Sequence, residues 1–233
     1  MTLASPGFDV PPYRLSGVVY GALMNHVPQL AALGDAVNQP PYKAPPQFPV
    51  LAVKPRHMLA ADGDAVVVPT GAVGVEVGAS LGIVIGRVAC RVPVAQALDF
   101  VAGYLAVNEV QLSAVGNDSS HYRPAVRLKA RDGHCVLGSQ VVARQQVPDP
   151  DALAVQVSVD GVLVQQSSTG GRVRGVAQLL ADVTEFMTLQ PGDVLLLGAA
   201  HAAPRVGAGQ SVVIHIEGIG SLHNGIVAEE GGA

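Results

Sequence analysis

The sequence predicts one strand-rich α+β domain built on a large mixed sheet. Three observations carry this reading. Residues 73–85 alternate strictly, with Val73, Val75, Val77, Ala79, Leu81, Ile83 and Ile85 on one face and Gly74, Glu76, Gly78, Ser80, Gly82 and Val84 on the other. Residues 153–159 and 162–166 alternate on either side of Asp160-Gly161, a pair that supplies the positive φ angles of a type I′ hairpin turn. Only two stretches, opening at Pro93 and at Val176, carry a convincing helical period.

Taken in order, residues 1–14 hold prolines without periodicity and are expected to form a loose N-terminal segment. Residues 15–228 are expected to form the domain and 229–233 a C-terminal tail. Residues 15–23 read as a strand, followed by Asn25-His26 and a short helical stretch over 30–37. Pro40, Pro41, Pro45, Pro46 and Pro49 then impose an extended connector. Too little chain precedes it for an independent core, so it reads as a surface excursion and not as an interdomain linker.

Residues 50–53 and 65–68 are short strands with the turn Ala61-Asp62-Gly63-Asp64 between them. The apolar face of 73–85 must pack on a core. Its opposite face is nearly bare, and interior glycines there mark either a bulge or the close approach of a ligand or another backbone. Pro93 in a first turn, with Val94, Ala97, Leu98 and Val101 at i, i+3, i+4 and i+7, predicts a helix. Residues 104–112 read as a strand ending in a polar loop at Gly116-Asn117-Asp118. After the hairpin, Val176, Leu179, Leu180, Val183 and Phe186 or Met187 mark the second helix. Pro191-Gly192 turns the chain into a strand over 194–197, and 211–217 is the last strong strand.

The composition excludes several classes. The chain has 233 residues, 49% of them hydrophobic and 14% charged, with a formal charge of −4. A chain that apolar can bury a sizeable core, and without a basic block nothing draws it to nucleic acid or anionic lipid. No uncharged run is apolar enough to span a membrane, and no basic segment leads an apolar one, so no secretory signal and a cytoplasmic location are expected. Cys90 and Cys135 do not make a disulfide framework or a zinc knuckle and read as two reduced thiols. Gly218-Ile219-Gly220 lacks the third glycine of a dinucleotide turn, Gly-x-Ser-x-Gly is absent, and the seven histidines are scattered.

Polar groups concentrate inside apolar context in three places. His26 follows Asn25 at the end of the first strand, with Gln29 three residues on. Asn108-Glu109 interrupts an apolar strand. His121-Tyr122-Arg123 leads to Arg127, Lys129, Arg131 and Asp132, the densest positive charge in an acidic chain. Singly, these read as a cap, a solvated strand residue and a solvated loop. Together, a basic segment in an acidic chain suits a dicarboxylate substrate.

These residues sit within a longer series of landmarks: Lys54-Pro55; Val75 to Leu81 leading into Ile83-Val84-Ile85-Gly86-Arg87; Val101 to Tyr104; Asn108-Glu109-Val110; Lys129 to Gly133; Gln165 to Thr169; Thr188 to Val194; and Glu217 to Gly220. In order and spacing the series resembles the fumarylacetoacetate hydrolase family, from about Gly17 to Ile226. The resemblance implies that family's mixed β-sheet roll with few helices. Asn38 to Pro46, and Tyr122 to Ala125 followed by Arg131-Asp132-Gly133, carry a closer similarity. It is to the N-terminal half, or separate subunit, of the isomerase/decarboxylases of 4-hydroxyphenylacetate (homoprotocatechuate) breakdown.

The resemblance implies a divalent Mg or Mn held by Glu-x-Glu on one strand and the acid of an Asn-Asp pair on another. Three carboxylates suit such a hard cation. Here Gly78 and Ser80 stand at the Glu-x-Glu positions, leaving Glu109 as the retained ligand. Glu76 is the candidate substitute, although one strand repeat of ~6.6–6.8 Å separates it from the lost position. Weak metal binding or none is therefore expected. The family's His-x-x-Glu becomes His26-Val27-Pro28-Gln29, so His26, the implied proton-transfer base, has a glutamine where a carboxylate would orient the ring. The arginine after the Asn-Asp pair is replaced near Ser113. Lys129 joins His26 in the implied catalytic role. Arg123, Tyr122, Asp132, Gln165 and Thr169 are the implied substrate-binding residues.

The implied function is decarboxylation of 5-carboxymethyl-2-oxohex-3-ene-1,7-dioate and isomerisation of 2-hydroxyhepta-2,4-diene-1,7-dioate. The chain is expected to work as a homodimer, or as a hetero-oligomer with a homologous subunit that keeps its ligands. Two alternatives stay open: a non-catalytic structural partner of that subunit, and a hydrolase or hydratase of another 2-oxo acid.

Overall fold

The computed structural model describes residues 17–40, 43–113 and 126–230. Among them, sixteen strands numbered along the chain form three sheets. The large mixed sheet runs β2 (Val50–Lys54), β1 (Val19–Leu23), β13 (Val194–Leu196), β6 (Ala79–Ile85), β7 (Val101–Glu109), β9 (Cys135–Leu137), β3 (Leu59–Ala61), with β10 (Val142–Ala143) also paired to β7. The β1–β13 and β3–β9 pairs are parallel. A second sheet runs β12 (Val162–Ser168), β11 (Ala154–Val159), β15 (Ser211–Ile216), β16 (Gly220–Ala228), β4 (Val66–Val68). A small third sheet joins β14 (Arg205–Val206), β5 (Val75–Glu76) and β8 (Gln111–Leu112). The helices are few: α1 (Val27–Leu33), the single turn α2 (Val126–Lys129) and α3 (Val176–Phe186). None is long and apolar enough to cross a membrane. This is the strand-rich α+β architecture that the sequence predicts.

Several elements follow from local chemistry. Asp160 and Gly161 adopt φ of 49° and 80° between β11 and β12, the geometry of a primed hairpin turn. In α3 the predicted stripe Val176, Leu179, Leu180 and Val183 is fully buried. This helix packs on residues Val94–Phe100, which form a 3-10 turn and not the predicted α-helix. Pro93 caps that turn from outside, and Val101 already starts β7. Downstream of Ser211–Ile216, the nine-residue strand β16 was not foreseen, although Leu222, Asn224 and Ile226 alternate inward.

The strand predicted over 73–85 is two strands in two sheets. The β5–β8 pair sets Glu76 opposite Gln111, and the β6–β7 pair sets Ala79 opposite Asn108. Both partners therefore break at one level, where Glu109 N donates to Gly78 O at 2.8 Å. A Cβ on Gly78 would lie 2.3 Å from the Glu109 carbonyl oxygen, so the kink requires glycine. Gly78→Ala is expected to destabilise the fold by ~1–3 kcal/mol through overpacking, read from its urea midpoint. Beyond the kink, β6 is buried on both faces, so the face that looks bare in sequence is filled by neighbouring strands.

Candidate active site

The kink delivers Glu109 to the interior. Its carboxylate lies against Gly21 on β1, where a Cβ would come 3.0 Å from Oε1. Register places Val19 opposite Lys54 and Gly21 opposite Ala52, so Lys54 projects on the same face as Gly21. Lys54 Nζ meets Glu109 Oε1 at 2.6 Å, with the two side chains 1% and 7% exposed. Burial by itself would raise the Glu109 pKa, but Lys54 and then Lys129 outweigh it and hold the carboxyl below its ordinary range. Glu109 is thus an ionised group enclosed by cations, not a solvated strand residue.

A second polar chain leads away from it. Gln111 Nε2 donates to Glu76 Oε2 at 2.6 Å, and Arg205 Nε pairs with Glu76 Oε1 at 3.3 Å. Because Glu76 accepts from the Gln111 amide nitrogen, the Gln111 carbonyl turns the other way, where it accepts from Lys129 Nζ. Lys129 at the end of α2 is half-buried. Burial lowers its pKa, Glu109 and Glu76 oppose that shift, and Lys54 adds to it.

His26 stands at the mouth of β1, immediately before α1. Asn25 fixes the turn, donating to Arg174 O and Leu197 O and accepting from Arg174 N. The imidazole is held by the backbone: His201 N donates to His26 Nδ1 at 2.9 Å. A ring nitrogen that accepts is unprotonated, so neutral His26 carries its proton on Nε2. Burial first, then Arg172 and His201, push its pKa below the ordinary imidazole value. Gln29 contacts His26 through its backbone, N to O at 2.9 Å, and does not hold the ring.

The connection from β13 to β14 links these groups. Gly198 N donates to Ser80 Oγ at 3.0 Å, and Ala199 O accepts from Arg172. His201 O and Ala202 O accept from Gln165 Nε2 at 3.2 and 3.0 Å, and Pro204 O accepts from Val77 N. Arg205 then reaches Glu76. Met24 and Ala202, on either side of the His26–His201 contact, are non-glycine residues at φ of 58° and 59°. Such left-handed backbone costs about 1–3 kcal/mol each and is found where surrounding structure enforces a geometry.

The structure thus brings His26 and Gln165 onto one strap and sets Lys129, Glu76 and Glu109 around the kink. Thr169 is buried with its hydroxyl accepting from Leu153 N at 2.9 Å. Asp132 is exposed, 4.0 Å from His57. Tyr122 and Arg123 lie outside the described residues. Lys54 entered the sequence reading only as a landmark, and Gln111, Arg172, His201 and Arg205 did not enter it. Arg172 spans the carbonyls of Ser168, Thr169 and Ala199, and burial pushes its pKa down to about 10.

This donor set does not fit a hard dication. Glu109 is paired with an ammonium, Gly78 has no room for a side chain, the Ser80 hydroxyl accepts from Gly198 N, and both oxygens of Glu76 are engaged. The kink also moves Glu76 into a different sheet, so spacing along one strand does not describe it. Among the described residues no group of three His, Cys, Asp or Glu could hold a metal ion. Calorimetric titration with Mn²⁺ or Mg²⁺ is expected to show no stoichiometric binding; tight one-to-one binding would overturn this reading.

Known proteins bear on the site in three ways. Over 93% of its length the chain is 36% identical to a 4-hydroxyphenylacetate degradation bifunctional isomerase/decarboxylase of Salmonella dublin, covering 48% of that protein. It therefore spans about half the length of this relative. A crystal structure of 5-carboxymethyl-2-hydroxymuconate delta-isomerase from Mycobacterium smegmatis superposes with a TM-score of 0.76 at 28% identity, covering 93% of this chain and 81% of that one. The fumarylpyruvate hydrolase of Pseudomonas aeruginosa, solved with Mn²⁺ and pyruvate, shares the fold with a TM-score of 0.78 at 23% identity, covering 98% and 96%. Residues 18–227 match the family described as fumarylacetoacetate (FAA) hydrolase C-terminal, and the chain belongs to that family.

Proposed function

We propose that the chain serves the decarboxylation and isomerisation steps of 4-hydroxyphenylacetate catabolism. Its substrates are then 5-carboxymethyl-2-oxohex-3-ene-1,7-dioate and 2-hydroxyhepta-2,4-diene-1,7-dioate, and it works as a homodimer or beside a homologous subunit with an intact carboxylate cage. The observation that carries the proposal is the relation to the Salmonella dublin isomerase/decarboxylase, taken with a cationic interior that suits a polyanionic 2-oxo acid. In this reading His26 is the acid/base that moves a proton along the dienol. Lys129 and Arg123 neutralise substrate carboxylates, and Gln165 and Thr169 hydrogen-bond them, with Tyr122 beside Arg123 in the sequence.

The paired Lys54–Glu109 centre favours one rival, a structural partner without chemistry of its own. The two separate in a turnover assay of the isolated chain, a homologous subunit with intact ligands, and their mixture. The proposal expects isomerisation by the isolated chain above the buffer rate and faster decarboxylation by the mixture. A chain that is inert alone and adds nothing to its partner would defeat it.

A further inference from the structure

Resting on that reading of the substrate as a 2-oxo acid, we infer that Lys129 is the electron sink of this site, joining the substrate carbonyl as an imine where relatives use a metal. The inference starts from how the charges are partnered. Two carboxylates lie near Lys129, and each is taken by another group: Glu109 by Lys54, Glu76 by Arg205 and the Gln111 amide. Among the described residues no carboxylate stands within ion-pair distance of Lys129, whose ammonium meets only the neutral carbonyl of Gln111. A neutral amine can still donate to that carbonyl while its lone pair points elsewhere. Lys129 is also half-buried and so not sealed from solvent. Desolvation and a neighbouring cation are the two devices that make a lysine nucleophilic near neutrality; here burial lowers the Lys129 pKa and Lys54 adds to it, against the opposing pull of Glu109 and Glu76.

The step balances without any further reagent. The Nζ lone pair adds to C2 of the 2-oxo acid. The former carbonyl oxygen takes up two protons and leaves as water, and a proton on nitrogen gives the iminium. The bond to the departing carboxylate breaks, its electron pair runs through the carbon–carbon double bond to the iminium nitrogen, and CO₂ leaves. A proton added to carbon restores the iminium, and water releases the product and the free amine. The iminium carries the positive charge that a metal-bound carbonyl provides elsewhere.

The test uses the full chain, pyruvate as the smallest 2-oxo acid, and borohydride to reduce any imine, followed by peptide mass spectrometry. Lys43, Lys54 and Lys129 are the chain's lysines, so the assignment is unambiguous. A 1-carboxyethyl group on Lys129, absent from Lys129→Met and trapped with a pH midpoint below that of free lysine, is the expected result. Labelling confined to Lys43, or no labelling, would overturn the inference, and the wild-type peptide map decides this even if the variant does not fold. Turnover of the dioates without trapping sinks the imine and leaves the proposed function standing. Trapping without turnover of the dioates does the reverse.

Discussion

Lys54→Met is expected to lower the stability of the fold by about 3–5 kcal/mol in urea denaturation, the range for stranding one charge of a buried pair. The cost arises less from the lost attraction than from Glu109, whose buried carboxylate then lies against Gly21 with only the more distant Lys129 to offset its charge. The double variant Lys54→Met/Glu109→Leu should recover most of that loss, because a buried pair replaced by apolar groups is often neutral. The sign of the pH dependence follows from Glu109. Its pKa in the folded chain is depressed, so its contribution is complete above the ordinary glutamate range and disappears as pH falls through the lower folded value. In Lys54→Met burial acts with less opposition, the Glu109 pKa rises, and protonation relieves the penalty. The gap between wild type and variant should therefore narrow in acid. A gap that stays constant down to the acid transition would show that the pair is not the source of the loss.

His26→Ala is expected to reduce kcat for isomerisation by ~10²–10⁴-fold, the usual span for loss of a proton-transfer group. His201→Ala should do far less, since the ring is held by the His201 backbone amide and not by its side chain. The acid limb of kcat/KM should lie below the ordinary imidazole pKa, because burial, Arg172 and His201 all disfavour the imidazolium. Removing one of those causes, in Arg172→Met, should move the limb upward. A limb unmoved by Arg172→Met would assign it to another group, and full activity in His26→Ala would remove His26 from the chemistry.

The hairpin at Asp160-Gly161 and the α3 stripe were legible in the sequence because each is local: a turn that needs positive φ, and an apolar face at helical period. The kink at Gly78 was not. Strict alternation from Val73 to Ile85 is what one strand would show, and the break is set by the Glu109 backbone pressing against Gly78 from another strand. Lys54 was equally hidden, since a lysine ending a short apolar strand reads as the point where the chain meets solvent.

By itself the sequence determined the strand-rich α+β class, the family, and the absence of two acidic side chains at Gly78 and Ser80. Only the tertiary structure decided how the remaining charges are partnered: Glu109 with Lys54, Glu76 with Arg205 and Gln111, and Lys129 with no carboxylate among the described residues. The reason is physical. A residue's type and spacing fix what it can donate or accept, whereas ion pairing depends on distances of a few ångströms between strands far apart in the chain.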